Sequence, residues 1–398
     1  MDRIVEPRRE LQVERHCDVL VAGAGIAGIA AALAAARQGA DVILVEREWL
    51  PGGLATLGLV TVFLPLCDGK GHKVVGGIGE ELFLLAVKHG IEEGHVPAPL
   101  PWLENGTEED KREIRYQAQF SPWLFALEAE RLLKAEGVRI LYGTVICAAA
   151  MSGGSIRQII VENKGGRSAI AVKSVVDATG DADICAMAGA PTARFTQGNL
   201  LASWHYADQG DGIHLQMMGM ADIPDKYKAG GREDTEEVKR YGGLDAEELS
   251  GMAAEARKNL LERVEQRERE GKYVPVAVPV IPQIRMTRRL DGTYTQNDAQ
   301  MHQHFEDSIG MIGDWRKRGP VYEIPFGTLY CGKVHNLYAA GRCISVTDDM
   351  WDITRAIPCC AVTGQAAGTA AALWEDVREA DIGMLQDRLM TDGALLHE

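Results

Sequence analysis

The chain has 398 residues, 46% apolar and 25% charged, a globular composition that excludes wholesale disorder and allows two or three domains. There are 57 acids against 42 bases, a net charge of −15, and no basic stripe offsets it, so nucleic acid is not an expected partner. No apolar run reaches the roughly 18 residues of a membrane span, and the charged start MDRIVEPRRE lacks the apolar centre of a signal peptide.

Asp18–Ala22 (DVLVA) reads as a strand and runs straight into GAGIAG. The segment IAAALAAARQG then reads as a helix ending at Gly39, and Asp41–Glu46 (DVILVE) as a second strand. This is a strand–turn–helix–strand unit. From Gly52 to Gly79 the chain is too rich in glycine for a regular helix and too apolar for a solvated linker, which predicts a long loop around something buried. A helix follows near Glu80–Lys88. Residues 91–115, rich in Pro and Glu, read as a surface excursion. Ser121-Pro122 predicts a helix start, with Ser as N-cap and Pro in the first turn. Strands are predicted over Val138–Tyr142, Ile156–Val161 and Ala169–Val176, the last ending in DATGDADI.

From about 196 to 318 the charge density rises, and Leu249, Met252, Ala256, Leu260 and Val264 recur at helical spacing. From Tyr322 the pattern of short strands and glycine turns returns, with NLYAAGRCIS and a helix of small residues near Ala361–Leu373. The expected fold is α/β: a Rossmann-like domain over 15–195 and 321–376, interrupted by a smaller, mainly helical cap or substrate domain over 196–320. The eight cysteines form no CxxC pair, so reduced thiols and a cytoplasmic location are expected. Cys359 and Cys360 read as two packed thiols, since a bridge between neighbours is strained.

Gly23-x-Gly25-x-x-Gly28 has the spacing of a phosphate-binding turn. Its first glycine permits the tight bend, the second lets backbone N–H groups reach a pyrophosphate, and the third lets helix and strand pack closely. Ile26 and Ala27 belong to the same turn, and the helix start adds a partial positive charge. Glu46, closing the second strand, is placed to accept hydrogen bonds from the adenosine ribose and would repel a 2′-phosphate. Two later turns look like parts of the same site: Ala178-Thr179-Gly180, and Gly341-Arg342. A cofactor long enough to use all three turns favours FAD over NAD. An NAD-dependent dehydrogenase remains the rival reading, with a non-catalytic FAD-binding subunit as a third.

Together GAGIAG…VILVERE, GGLATLGLV, DATGDADI and AAGRCIS…TGQAAGTAAAL resemble the FAD-dependent oxidoreductase family, a branch of the glutathione-reductase-like flavoproteins related to succinate dehydrogenase and fumarate reductase. The resemblance runs from about 15 to 376. It implies a glutathione-reductase-like FAD domain, with Glu46 and Arg47 flanking the adenosine ribose. Gly53, Leu54, Ala55 and Thr56 would pass along the ribityl chain and ring system, and Val145 would meet the adenine by its backbone. Gly341 and Arg342 would bracket the pyrophosphate, and Thr363 would stand at the start of a helix facing the flavin. One departure is Met286 within Arg285–Arg289, where the family pattern would carry an acid. The short insertion would be compatible with completion of the cap in a homo-oligomer.

GGIG at 76–79 and GKGH at 69–72 lack the preceding strand and following acid of a second dinucleotide site. A small organic substrate and a separate electron donor or acceptor are therefore the expected partners. Candidate catalytic groups are Arg355, near the flavin or an anionic substrate group unless it pairs with Asp348, Asp349 or Asp352; His72, as an acid–base group; and Arg288, or its neighbour Arg289, for a substrate carboxylate or as a link to the FAD domain. Cys67 is weighed as a flavin-linked or redox thiol against a packed one. Trp204-His205-Tyr206 would form a substrate wall or a hinge. His302-x-His304, read as alternate positions of a helix, would not face one ion, so no metal site is expected.

Overall fold

A computed structural model describes residues 4, 8–88, 118–219 and 239–398. The surface excursion expected at 91–115 lies outside them. β1 (Val13–Ala22), α1 (Ile26–Arg37) and β2 (Val42–Val45) form the expected unit. β1 begins five residues before Asp18 because it pairs from Val13 onward with the strand Gly166–Asp177.

The central sheet has seven strands. Arg139–Leu141, β2, β1 and Gly166–Asp177 lie side by side and parallel. Leu337–Ala339 also pairs parallel with Gly166–Asp177, while Ser155–Asn163 and Val145–Ser152 continue the sheet antiparallel. Ala22 pairs with both Val45 and Asp177, and Asp177 pairs with Ala339, so this register makes four parallel strands end level. The chain therefore leaves all four at one carboxyl edge, where open α/β sheets bind ligands.

β1 alternates between two cores, as a doubly covered strand must. Val19 and Val21 pack with α1 and the helix Ile357–Leu373; Leu20 and Ala22 pack with Val175, Ile184 and Leu337. Truncating such a residue, Leu20→Ala for example, would cost about 2–5 kcal/mol. A Cβ on Gly364 would lie 2.3 Å from the Ala27 carbonyl oxygen, and one on Gly368 would lie 2.1 Å from that of Ala31. Those two glycines thus seat the Ile357–Leu373 helix against α1, not against the flavin region. Ser121 caps the helix Pro122–Ala135, with Pro at its start, as the sequence predicts.

The region expected as an insertion, 196–320, carries the helix Ala246–Glu268, which buries Met252, Ala256, Leu260 and Val264 at the predicted spacing and is capped by Asp245. It also carries a three-stranded sheet that no sequence pattern predicted, with His205–Asp208 between Ile213–Gln216 and Val274–Ala277. Among the described residues, no single helix is long and apolar enough to cross a membrane.

Candidate active site

The carboxyl edge opens into a cavity of about 310 Å³. The three glycines of the first turn divide their work as their spacing implies. Gly23 has φ +91°, and a Cβ there would lie 2.7 Å from the Ala178 carbonyl oxygen. A Cβ on Gly28 would lie 1.8 Å from the Gly23 carbonyl oxygen. A Cβ on Gly25 would meet nothing within 4 Å, so its open side belongs to the cavity and to whatever fills it. Gly25 is the N-cap of α1, which brings the positive helix end to the same place.

Glu46 is buried and lines the cavity. Its two oxygens accept from the backbone N–H groups of Ala24 (2.7 Å) and Glu48 (2.9 Å). A carboxylate has about four acceptor positions, so capacity remains for ribose hydroxyls. Arg47, Gly53, Leu54, Ala55, Val145, Ala178, Thr179, Gly180, Ile26 and Ala27 line the same cavity. Asp177, fully buried, shapes the second turn. It accepts from the Thr179 amide and hydroxyl and from the Cys185 amide.

Several expected residues stand one layer back. Gly28 is inside the helix packing. Thr56 is buried, its hydroxyl donating to the Pro51 carbonyl. Thr363 accepts from the Gly341 amide (2.9 Å) and donates to the Cys359 carbonyl (2.8 Å), so it holds the Gly341 turn from behind. Arg342 lines the cavity but spends one nitrogen on the carbonyls of Ile284 (3.0 Å) and Arg285 (2.6 Å), bolting the insertion to the domain.

Arg355 lines the cavity and pairs with the fully buried Asp352, Nε to Oδ1 2.9 Å, while its guanidinium lies over Trp315. The ion pair weighed for it is thus present, with Asp352, and the side chain also borders the cavity. His72 does not reach the cavity lining. Its side chain is 77% exposed and its ring pairs with Asp68, so the expectation of an acid–base group there is corrected. Arg288 is also outside the lining: it donates to the Asp181 carbonyl and pairs with Asp183 (2.6 Å). Arg289 stacks on Trp351 and pairs with Asp348. Arg288 thus reaches residues 181–183, and Arg289 reaches residues 348–351. Cys67 is packed and lies outside the lining.

Sequence reasoning missed the far wall. Gly243, Leu249, Ile281, Pro282, Ile284 and Arg285, all from the insertion, close the cavity, and Arg285 stacks on Trp204. Ile357 and Cys360, at the start of the last long helix, bring its positive end to the cavity; burial pushes the Cys360 thiol up to about 11. Asp183 was missed as well. Its carboxyl is pushed up to about 6 by burial and then by the neighbouring Asp177 and Asp181, against the pull of Arg288 and Arg47. The GGIG segment opens the helix Gly77–Val87, where the Ile78 amide donates to Gln365 Oε1 (2.9 Å), a protein cap in place of a phosphate.

The chain matches the family described as FAD dependent oxidoreductase over residues 18–273 and 222–389. It is 53% identical over 55 residues to sarcosine oxidase subunit alpha of Rhizobium meliloti (strain 1021), 14% of this chain and 5% of that protein. It is 32% identical over 153 residues to a probable electron transfer flavoprotein-quinone oxidoreductase of Escherichia coli (strain K12), 37% of this chain and 33% of that one. The chain thus spans a third or less of these relatives. Among solved structures it is similar to a geranylgeranyl bacteriochlorophyll reductase-like protein of Thermoplasma acidophilum, at 13% identity and TM-score 0.48, over 95% of this chain and 83% of that one. The chain belongs to the FAD dependent oxidoreductase family, and its cofactor is FAD.

Proposed function

We propose that this enzyme transfers a hydride between a small organic substrate and flavin N5. The observation that carries this reading is the shared cavity: the dinucleotide turns form one wall, and Ile281, Pro282, Ile284 and Arg285 of the insertion form the other. The residues fit FAD. Gly25 leaves a cradle that a Cβ would fill, two helix starts point into it, and Glu46 retains acceptor capacity. When bound, FAD supplies the hydride-accepting or hydride-donating centre.

The chain's own residues do the rest. Gly23, Gly25 and the Ala178–Gly180 turn hold the phosphates and sugars by backbone. The apolar wall of Ile281, Pro282 and Ile284 excludes water, and Arg285, adjoining it, presents a cation to an anionic or carbonyl group of the substrate. Arg355 and the helix start at Ile357 favour negative charge at the flavin, in a water-poor site where such terms gain weight. The GGIG helix start is capped by Gln365, so it offers no phosphate site, and a separate electron donor or acceptor is the reading; the Escherichia coli relative, an electron transfer flavoprotein-quinone oxidoreductase by name, supports it. The test is anaerobic mixing of the yellow enzyme with hydroxy acids, amines and sugars, and of the dithionite-reduced enzyme with enoates. A compound that bleaches or reoxidises the flavin is expected. A flavin inert to all of them would favour the non-catalytic subunit.

A further inference from the structure

Outside the cavity, three side chains from three segments converge: His304 in the loop before the strand Ser308–Gly313, Glu323 in the strand Val321–Pro325, and His397 in the C-terminal tail. None lines the cavity. One ligand atom from each lies within 4.8 Å of the others. Glu323 Oε2 is 3.0 Å from His397 Nδ1 and 3.5 Å from His304 Nδ1, so both imidazoles turn the same nitrogen toward one oxygen. The carboxylate is buried, with 5% exposure, while both histidines reach solvent.

The spacing suits an ion better than hydrogen bonds alone. A hydrogen bond from the His304 ring at 3.5 Å is poor. Ligand atoms bound tetrahedrally to zinc at about 2.0–2.1 Å stand roughly 3.3 Å apart, between the two measured separations. The frame is built independently of any ligand. The Phe305 amide donates to Glu323 Oε2, the Ser308 hydroxyl donates to the Leu396 carbonyl, and the Met311 amide donates to the Leu395 carbonyl. Glu306, 3.6 Å from His304 Nε2, stands as an outer carboxylate of the sort that orients a ligating imidazole.

The expectation of no metal at His302-x-His304 assumed a helix. The two histidines lie in a loop instead: His302 has φ 56° and pairs with Glu398, leaving His304 to face Glu323. The third ligand is 74 residues beyond Glu323, which no sequence spacing reveals.

We propose that His304, Glu323 and His397 bind a divalent transition ion of the zinc type, with water in the remaining position. Two imidazoles and one carboxylate match the ligand preferences of such ions, and neither magnesium nor calcium is served by this set. The bound ion clamps the C-terminal tail to the strand Val321–Pro325.

The experiment is titration of chelator-stripped, untagged holoenzyme with Zn²⁺ by calorimetry, with thermal melts in parallel. One ion per chain and a raised melting temperature are expected. His304→Ala and His397→Ala each weaken binding at least about tenfold and abolish the rise, while His214→Ala, remote in the insertion, changes neither. Both key histidines are partly exposed, so these variants should fold even if Glu323→Gln does not. Absence of saturable binding, or binding retained by the His304→Ala/His397→Ala double variant, overturns the proposal.

Discussion

The backbone N–H of Ala24 donates to Glu46 Oε2 across 2.7 Å, tying the glycine turn after β1 to the end of β2. The same carboxylate also takes the Glu48 amide, so it sets the shape of the turn before any ribose arrives. Glu46→Gln keeps the volume but turns an NH2 group toward one amide donor. Hydrogen bonds to a charged group are worth about 1.5–3 kcal/mol, so FAD binding should weaken at least tenfold. Fluorescence titration of apoprotein with FAD measures it, and an unchanged dissociation constant would show that the acid only shapes the chain.

Gly25 and Gly28 separate binding from folding. A side chain at Gly25 enters open cavity, so Gly25→Val should fold and melt like the apoprotein yet stay colourless. A Cβ at Gly28 meets the Gly23 carbonyl at 1.8 Å, so Gly28→Ala should lose folding stability with or without cofactor. Stoichiometric FAD in Gly25→Val would contradict the cradle.

Arg355 gives a two-part prediction. Arg355→Met strands Asp352, which is fully buried and, among the described residues, keeps Arg316 Nη1 at 3.7 Å as its remaining cation. Breaking a buried pair costs about 3–5 kcal/mol, read by denaturant unfolding. The flavin midpoint potential should also fall by roughly 20–40 mV, the equivalent of about 1–2 kcal/mol for a two-electron couple. Adding Asp352→Asn should restore part of the stability and leave the lowered potential. A stability loss with an unmoved potential would confine Arg355 to the ion pair.

Asp183 sets a pH dependence. Its folded-state pKa of about 6 lies above the usual 3.8, so the native state keeps a proton that the unfolded chain releases. Stability from this group is therefore full below about pH 4 and is lost as pH rises toward and past 6. In the apoprotein, the melting temperature of Asp183→Asn minus that of the unmutated chain should grow between about pH 4.5 and 7. A constant difference would mean an ordinary carboxyl.

The near wall of the site was legible and the far wall was not, for a physical reason. Gly23, Gly25, Gly28 and Glu46 act through backbone conformation and a strand end, which local spacing records. The chain also announces Ser121-Pro122 and the stripe from Met252 to Val264 by periodicity and capping. Ile281, Pro282 and Arg285 sit in VPVIPQIR, where prolines erase any period, and long-range bonds seat the segment: Arg342 grips the carbonyls of Ile284 and Arg285, and the Val280 amide donates to the Leu57 carbonyl. Arg288 looked like a substrate group because its partner, Asp183, is 105 residues away. His72 looked like a catalytic base because the loop around it wraps the core, yet its ring faces outward to solvent beside Asp68.

The proposed function requires the flavin to exchange electrons with an organic substrate held between the dinucleotide turns and the 281–285 wall. Anaerobic stopped-flow absorbance of the holoenzyme, mixed in turn with the organic panel and with NADH or NADPH, reads that exchange. Rapid, saturable reduction by at least one organic compound, and none at a comparable rate by either nicotinamide, is the predicted result. Fast reduction by a nicotinamide, with every organic compound inert, would contradict it.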